Sequence, residues 1–410
     1  MEKPALLGGT PTKRDQFPEW PQYDEKEEKA LLEVLHSRIW WRTPGTKTLE
    51  FERRYAEYHQ AKYGVACTNG TAALEIVMAA LGIGLGDEVI VPDFTFVATA
   101  SAVLFTGAMP VMVDIDPGTY CIDPEKVEAA ITPRTKAVVA VHLGGHPADL
   151  DRLQEICRTH NLFLVEDSAH AHGSEWKGKK VGGIGAAGTF SFQSSKLMTA
   201  GEGGMIITND EDLATRIRSI HDCGRMPDQW FYSHFIYGSN YRLSEWQGAV
   251  LLQQLDRLEE QKSKRRKNAA FLDQTLANIE GIRPQSLDPR VTNHGHYCYI
   301  FHFDSKAFNG LKTEEFIKAL NAEGIPTQAS YPPVHKLDVF QNGEFRKRLA
   351  PEHAQQSFDY LRADFPITED AFKNTVWLVH RTLLGTEEDC ADIVRAIQKI
   401  QSFSKELISS

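Results

Sequence analysis

Between residues 86 and 208 the chain alternates short unbroken apolar runs with longer stretches of helical periodicity. The runs at 88–91, 110–114, 137–142 and 162–165 are continuous and rich in β-branched residues, as in strands covered on both faces. Helical spacing occupies 72–81, 124–131 and 148–160, and the turn at 92–96 opens a further helix to about residue 105. This alternation predicts an α/β fold with a mostly parallel central sheet and helices on both faces. A strand over 203–208, a helix over 211–220 and an aromatic-rich loop over 222–240 continue it. A long helix over 243–276 follows, and its charged stretch, 262–267, reads as a solvated face. Upstream, helices over 24–36 and 48–60 flank Trp40-Trp41-Arg42, a segment that suits either core packing at a loop or a pocket wall.

Near residue 281 the pattern changes. A strand over 297–303, a helix over 313–323, a strand over 327–331 and a helix over 387–400 predict a smaller C-terminal α+β domain. Residues 1–24 are proline-rich and read as an arm that packs on something else. The expected partition is an arm at 1–24, a large domain at 25–280 and a small domain at 281–410.

Composition narrows the classes. The 410 residues are 42% apolar and 24% charged, which suits a soluble globular protein. A net charge of −10 argues against nucleic acid or an acidic membrane as the main partner. No apolar run approaches the roughly 18 residues of a membrane span, and the N-terminus lacks the apolar core of a signal peptide. Six scattered cysteines without a CxxC pair suggest a reducing, cytoplasmic setting.

The chemistry centres on 189–204. A β-prone run at 189–192 delivers a polar turn, Lys196, and the glycines at 201, 203 and 204. Ligands of parallel sheets bind beyond the carboxyl ends of strands, where this lysine falls. The run at 162–165 ends in Glu166-Asp167, so a carboxylate can reach the same crevice. A buried lysine that forms a Schiff base, with a carboxylate for a pyridinium nitrogen, is what pyridoxal phosphate chemistry requires. Thr68-Asn69-Gly70-Thr71 opens a helix, where free N–H groups suit a phosphate, although Asn and Thr are also ordinary caps. Two patterns mislead. Gly183-Ile184-Gly185-Ala186-Ala187-Gly188 fits GxGxxG but is followed by a strand-prone run instead of a helix. His170 and His172 beside Glu166-Asp167, and His142 with His146, invite a metal reading, yet their spacing matches no recurrent zinc pattern, and no metal site is expected.

With lysine, carboxylate and phosphate turn in hand, the chain resembles the DegT/DnrJ/EryC1/StrS aminotransferases. The likeness runs through NGTAALE (69–75), GDEVIVPDFTFVATA (86–100), EDSAHAHGS (166–174), residues 189–204 and GSNYRLSEWQGA (238–249). The resemblance implies a fold-type-I PLP-dependent transferase using pyridoxal 5′-phosphate. It implies Lys196 as the Schiff-base lysine and proton carrier, Asp167 as partner of the pyridinium nitrogen, and Phe96 stacked on the ring. Gly70, Thr71 and Ser191 would hold the phosphate, and Asn240 would reach the cofactor of a neighbouring subunit in a homodimer with shared active sites. His170 stands where many members have glutamine and would face the cofactor's 3′-oxygen.

Within the family, the arm, Trp40-Trp41-Arg42 and the segment 376–385 look closer to 3-amino-5-hydroxybenzoate synthases and scyllo-inosose aminotransferases than to nucleotide-sugar enzymes. The resemblance therefore implies L-glutamine or L-glutamate as amino donor and a cyclitol or free ketosugar as keto acceptor, by a ping-pong cycle. Trp41, Arg42, Tyr331 and His335 are the expected substrate contacts. Three rivals stand beside this reading: an aromatising dehydratase, a nucleotide-sugar aminotransferase and a non-enzymatic PLP-binding regulator.

Overall fold

The computed structural model describes residues 2–226, 229–350 and 363–408. Two helices come first, α1 (Glu25–Ser37) and α2 (Lys47–Tyr58). The main sheet then begins with β1 (Tyr63–Cys67), α3 (Gly70–Ala80), β2 (Glu88–Pro92), α4 (Ala98–Phe105), β3 (Met109–Val113) and α5 (Pro124–Ala129). It continues through β4 (Thr135–Val141), α6 (Leu150–His160) and β5 (Phe163–Asp167). A short hairpin, β6 (Glu175–Trp176) with β7 (Lys179–Lys180), separates these from β8 (Ala187–Ser191) and β9 (Gly204–Thr208). The strand order is β1-β9-β8-β5-β4-β2-β3, parallel except that β9 runs against both neighbours.

Alternate residues of single strands enter different cores. Val89, Val91, Val139 and Val141 pack with α3 and α4, whereas Ile90, Val138 and Ala140 pack with α6 on the other face. That is why these strands read as unbroken apolar runs rather than alternating ones. α7 (Glu211–His221) closes this part of the chain. Of the aromatic-rich segment after it, residues 227 and 228 lie outside the described residues.

α8 (Glu245–Leu276) leads into a second sheet, in the order β10 (Ile282–Pro284), β12 (Cys298–Phe303), β14 (Thr375–Val379), β13 (Thr327–Ala329). β11 (Val291–Asn293) joins the β6–β7 hairpin instead. Among the described residues, α9 (Thr313–Ala322), α10 (Asp338–Gln341), α11 (Pro366–Asn374), α12 (Glu387–Ser402) and the short α13 (Ser404–Ile408) accompany this sheet. β14 was not among the expected strands, because a five-residue run beside a loop carries little periodicity of its own.

The charged stretch 262–267 departs from expectation at two positions, while the other four are exposed as expected. Lys262 and Arg265 are buried, on the same inward stripe as Ala269, Leu272 and Leu276. Steps of three and four residues carry one helix face through the charge run and into the core of the second sheet.

The arm lies against the C-terminal part of the chain. Phe17 joins the core of the second sheet, and Lys13 pairs with Asp389 at 2.7 Å. Glu323 is wholly buried and accepts from the Ala5 N–H at 2.7 Å, the Thr12 N–H at 2.8 Å and the Lys399 ammonium at 2.9 Å. Removing one partner of a buried ion pair strands the other, so Glu323→Ala is expected to cost about 3 kcal/mol. Urea unfolding followed by tryptophan fluorescence would check this, and an unchanged midpoint would mean that the arm is not held by this carboxylate.

Candidate active site

β5 and β8 deliver the two expected groups to one place. Asp167 ends β5 and sits in register with Thr189 of β8, and Lys196 follows five residues after the end of β8. Glu166 and Asp167 are adjacent in a strand and so point to opposite faces. Glu166 takes the N–H groups of Gly182, Ile184 and Gly185 at 2.7, 2.8 and 2.6 Å, plus His142 Nε2 at 3.1 Å. The glycine-rich loop at 183–188 therefore wraps a carboxylate of its own chain. Asp167 faces a cavity of about 620 Å³, which Lys196, Gly70, Thr71, Phe96, His170, Ser191 and Tyr331 also line.

The two charges shift in opposite directions. Burial raises the Asp167 carboxyl above its usual range, although the Ala169 N–H and the Thr99 hydroxyl, at 3.2 and 2.9 Å, oppose this. Burial lowers the Lys196 ammonium to about 8, with Asp167 opposing. Lys196 Nζ lies 4.6 Å from the centre of the Tyr297 ring. Neither group has an ion-pair partner within contact distance among the described residues, so each is costly as a charge until a ligand arrives.

At the other end, α3 begins at Gly70. Its cap residue Asn69 occupies the N–H groups of Ala72, through the side chain at 2.8 Å, and of Ala73, through the carbonyl at 3.1 Å. The N–H groups of Gly70 and Thr71 are left for a ligand at the positive end of the helix. A Cβ at position 70 would meet the Ser191 Cβ at 2.8 Å, so only glycine lets the turn close on Ser191. Phe96 stands on the turn before α4, 54% exposed and 6.0 Å from the Tyr331 ring. Its helix opens later than expected, at Ala98.

His170 is neutral, because burial drives its pKa well below the ordinary value. Its ring stacks on Tyr297 at 3.9 Å and 16°. The Gly144 N–H donates to Nδ1 at 3.4 Å, which leaves Nε2 to donate to the Tyr331 hydroxyl at 3.3 Å. The other histidines near the carboxylates have structural partners. His172 links the Tyr55 hydroxyl at 2.7 Å to the Ser191 carbonyl at 3.0 Å, and His146 holds the Pro147 carbonyl at 2.7 Å. Among the described residues no group of His, Cys, Asp or Glu is arranged to hold a metal.

Pyridoxal phosphate fits this set of residues. Among the described residues Asp167 is a buried carboxylate without a cation in contact, Lys196 is an amine with a depressed pKa, and the start of α3 offers two free N–H groups beside a hydroxyl. Three expected substrate contacts, Trp41, Arg42 and His335, lie outside this lining. Trp41 and Arg42 border a separate cavity of about 330 Å³, where Arg42 makes a bidentate pair with Glu52 at 3.1 and 2.8 Å. Asn240, expected at the cofactor of a neighbouring subunit, is exposed in this chain, and its side chain accepts from the Arg242 N–H at 3.4 Å. His335 is buried against Asp93, with Nδ1 at 2.6 Å and its backbone N–H at 2.8 Å.

Sequence reasoning missed Thr99 and Tyr297. Thr95 lies on the turn before α4 and Thr99 in its first turn, and their hydroxyls are 3.0 Å apart, a polar contact at the start of a mostly apolar helix. Tyr297 directly precedes β12, where a strand-end aromatic gives no sign of which crevice it meets.

The chain matches the DegT/DnrJ/EryC1/StrS aminotransferase family over residues 21–398. It is 40% identical over 408 residues to a putative L-glutamine:3-amino-2,3-dideoxy-scyllo-inosose aminotransferase of Micromonospora echinospora, covering 98% of this chain and 97% of the relative. It is 40% identical over 382 residues to the 3-amino-5-hydroxybenzoate synthase of Amycolatopsis mediterranei (strain S699), covering 92% of this chain and 95% of that protein. A crystal structure of 3-amino-5-hydroxybenzoic acid synthase superposes with a TM-score of 0.85 at 38% identity, covering 95% of this chain and 99% of the other. Relatives over nearly the full length, and a lysine and carboxylate meeting in one cavity, lead to the same place: the chain belongs to the DegT/DnrJ/EryC1/StrS family of pyridoxal-phosphate-dependent aminotransferases.

Proposed function

We propose that this enzyme moves an amino group from L-glutamine or L-glutamate to the keto group of a cyclitol or free ketosugar, in two half-reactions at one site. The observation that carries it is the convergence of Lys196 and Asp167 on a single cavity, with the N–H groups that open α3 in the same lining. The inosose aminotransferase likeness supports the donor and the acceptor class. Among the described residues the cavity lining holds no arginine, and no lysine besides Lys196, so this part of the chain offers the donor's carboxylate, or an acceptor's diphosphate, no second cation.

Bound pyridoxal phosphate supplies the electron sink for the charge left at the donor's α-carbon. Lys196 would hold the cofactor and, as a neutral amine, would move the proton from that carbon. Asp167 keeps the pyridine nitrogen protonated through its charge. Gly70, Thr71 and Ser191 would hold the phosphate and Phe96 would cover the ring, while His170 would turn its single N–H, on Nε2, from the Tyr331 hydroxyl to the 3′-oxygen. Tyr331 meets the acceptor. Asn240 and the exposed aromatics Trp230, Tyr232 and Tyr237 belong to the interface of a homodimer with shared active sites. The arm 1–24, large domain 25–280 and small domain 281–410 are the units of each subunit.

The test is spectroscopic. Holoenzyme mixed with L-glutamine or L-glutamate alone is expected to lose its visible absorption, and scyllo-inosose or 2-deoxy-scyllo-inosose to restore it. Restoration by a nucleotide-linked ketosugar instead would reassign the acceptor. An aromatic product from an amino-dehydroshikimate-like acid would identify a dehydratase, the reading that the benzoate-synthase likeness favours. Absorption that persists with both donors would overturn the proposed donor half-reaction.

A further inference from the structure

The turn that carries Lys196 is held from outside the main sheet. Two peptide units precede this lysine, and each is fixed at both ends. In the first, the Ser195 N–H donates to Gln193 Oε1 at 2.8 Å, while the Ser194 carbonyl accepts from the Trp20 indole N–H at 2.9 Å. In the second, the Lys196 N–H donates to the Gln193 carbonyl at 2.8 Å, while the Ser195 carbonyl accepts from His380 Nε2 at 3.1 Å. A peptide unit is a rigid plane, so tying both its N–H and its carbonyl removes its freedom to rotate. The second plane contains Lys196's own backbone nitrogen, and its tilt sets the direction in which the lysine side chain leaves the chain.

The N–H ends are tied within the turn, and the carbonyl ends are tied by the arm and by the segment after β14. Trp20 and His380 are themselves in contact, edge to face at 4.5 Å. Arg265, wholly buried on α8, lies 5.6 Å from the Trp20 ring, and its Nε and Nη1 have no hydrogen-bond partner among the described residues. An aromatic face beside a desolvated cation is attractive, and this fixes the indole's plane and hence where its N–H points. On the other side His380 lies 6.1 Å from Tyr297, nearly parallel, and the Tyr297 hydroxyl is 3.1 Å from Ser195 Oγ. Since Lys196 Nζ lies over the Tyr297 ring, one continuous set of contacts runs from Trp20 through His380 to the amine.

We propose that Trp20 and His380 are positioning residues for Lys196, a two-donor latch by which the arm and the C-terminal part of the chain aim its amine. The proposal rests on Lys196 being the Schiff-base lysine. It assigns a task to two residues that line neither the cofactor's nor the acceptor's part of the cavity. Loss of either donor leaves the sheet and the cavity in place but frees one peptide plane to tilt.

The experiment uses full-length protein stripped of cofactor and measures the rate at which added pyridoxal phosphate produces the visible band. Trp20→Phe keeps a ring and deletes the N–H. His380→Leu deletes the donor, and His380→Gln keeps one near the Nε2 position. One hydrogen bond is worth roughly three- to tenfold, so Trp20→Phe and His380→Leu are expected to slow capture by about that factor. Their kcat is expected to fall in parallel with KM for L-glutamine unchanged, and His380→Gln to recover most of both. Lower urea stability alone, with wild-type capture and kcat in the folded fraction, would overturn the latch and leave these contacts purely structural. Should His380→Leu fail to fold, Trp20→Phe decides by the same readouts. Failure of the wild-type chain to capture pyridoxal phosphate would instead remove the role of Lys196 on which the latch depends.

Discussion

Lys196→Ala is expected to lower turnover by about 10⁴-fold or more, since one group serves as both covalent anchor and proton carrier. The fold is expected to survive. Among the described residues the Lys196 ammonium makes no hydrogen bond or ion pair, and its contact is with the Tyr297 ring. Lys196→Arg separates charge from chemistry. A guanidinium keeps the positive charge but stays protonated at any working pH, so it cannot act as base or nucleophile. Both variants should therefore show the same loss in kcat, with unfolding midpoints near wild type. A measured kcat for Lys196→Arg within about tenfold of wild type would show that the proton is moved by another group.

The depressed pKa of Lys196 has a kinetic signature. The neutral amine is the reactive form, so cofactor capture rises with pH as the ammonium loses its proton. With a pKa of about 8, capture should climb roughly tenfold from pH 7 to pH 9 and then level off. N-α-acetyl-lysine, measured in the same buffers, corrects for titration of pyridoxal phosphate itself. An amine with an ordinary pKa would keep climbing about tenfold per pH unit to pH 10. That steeper profile would mean that the turn does not enclose the amine as the structure shows.

The parts of this site that could be read from sequence are those set by local rules. Lys196 and Asp167 stood out because strand ends in a parallel sheet converge, and β5 and β8 are neighbours in register. Gly70 and Thr71 stood out because a helix start exposes N–H groups whatever surrounds it. The parts that resisted depend on which distant partner claims a side chain. Arg42 is taken by Glu52 and His335 by Asp93, so neither turns to the main cavity. Residues 262–267 looked solvated by composition, but the inward stripe of α8 is fixed by what packs on it, not by its charge. Trp20 is the extreme case. It lies 174 residues before the carbonyl it holds, in an arm whose sequence shows only that it packs somewhere.

Asp167→Asn is expected to leave the architecture of the site intact and reduce kcat by about 10²–10³-fold, the scale for removing one buried electrostatic stabiliser. Asparagine can satisfy the same neighbours. Its carbonyl oxygen takes the Ala169 N–H and its amide donates to the Thr99 hydroxyl, which then turns its own hydrogen to Thr95, 3.0 Å away. Shape and hydrogen bonds survive and only the charge is lost. Without cofactor that charge is a burden, because burial raises the Asp167 carboxyl above its usual range. The sign follows. A carboxylate whose folded pKa is raised weakens the folded state above its unfolded value, so Asp167→Asn apoprotein should melt no lower than wild type at pH 7. With pyridoxal phosphate bound the ranking should reverse, since the carboxylate is then paired with the protonated ring nitrogen. Melting curves with and without cofactor, alongside the bleaching rate with L-glutamine, test both halves. An asparagine variant with unchanged bleaching would mean that the ring needs no anion here, and Asp167 would then be a structural residue at the end of β5.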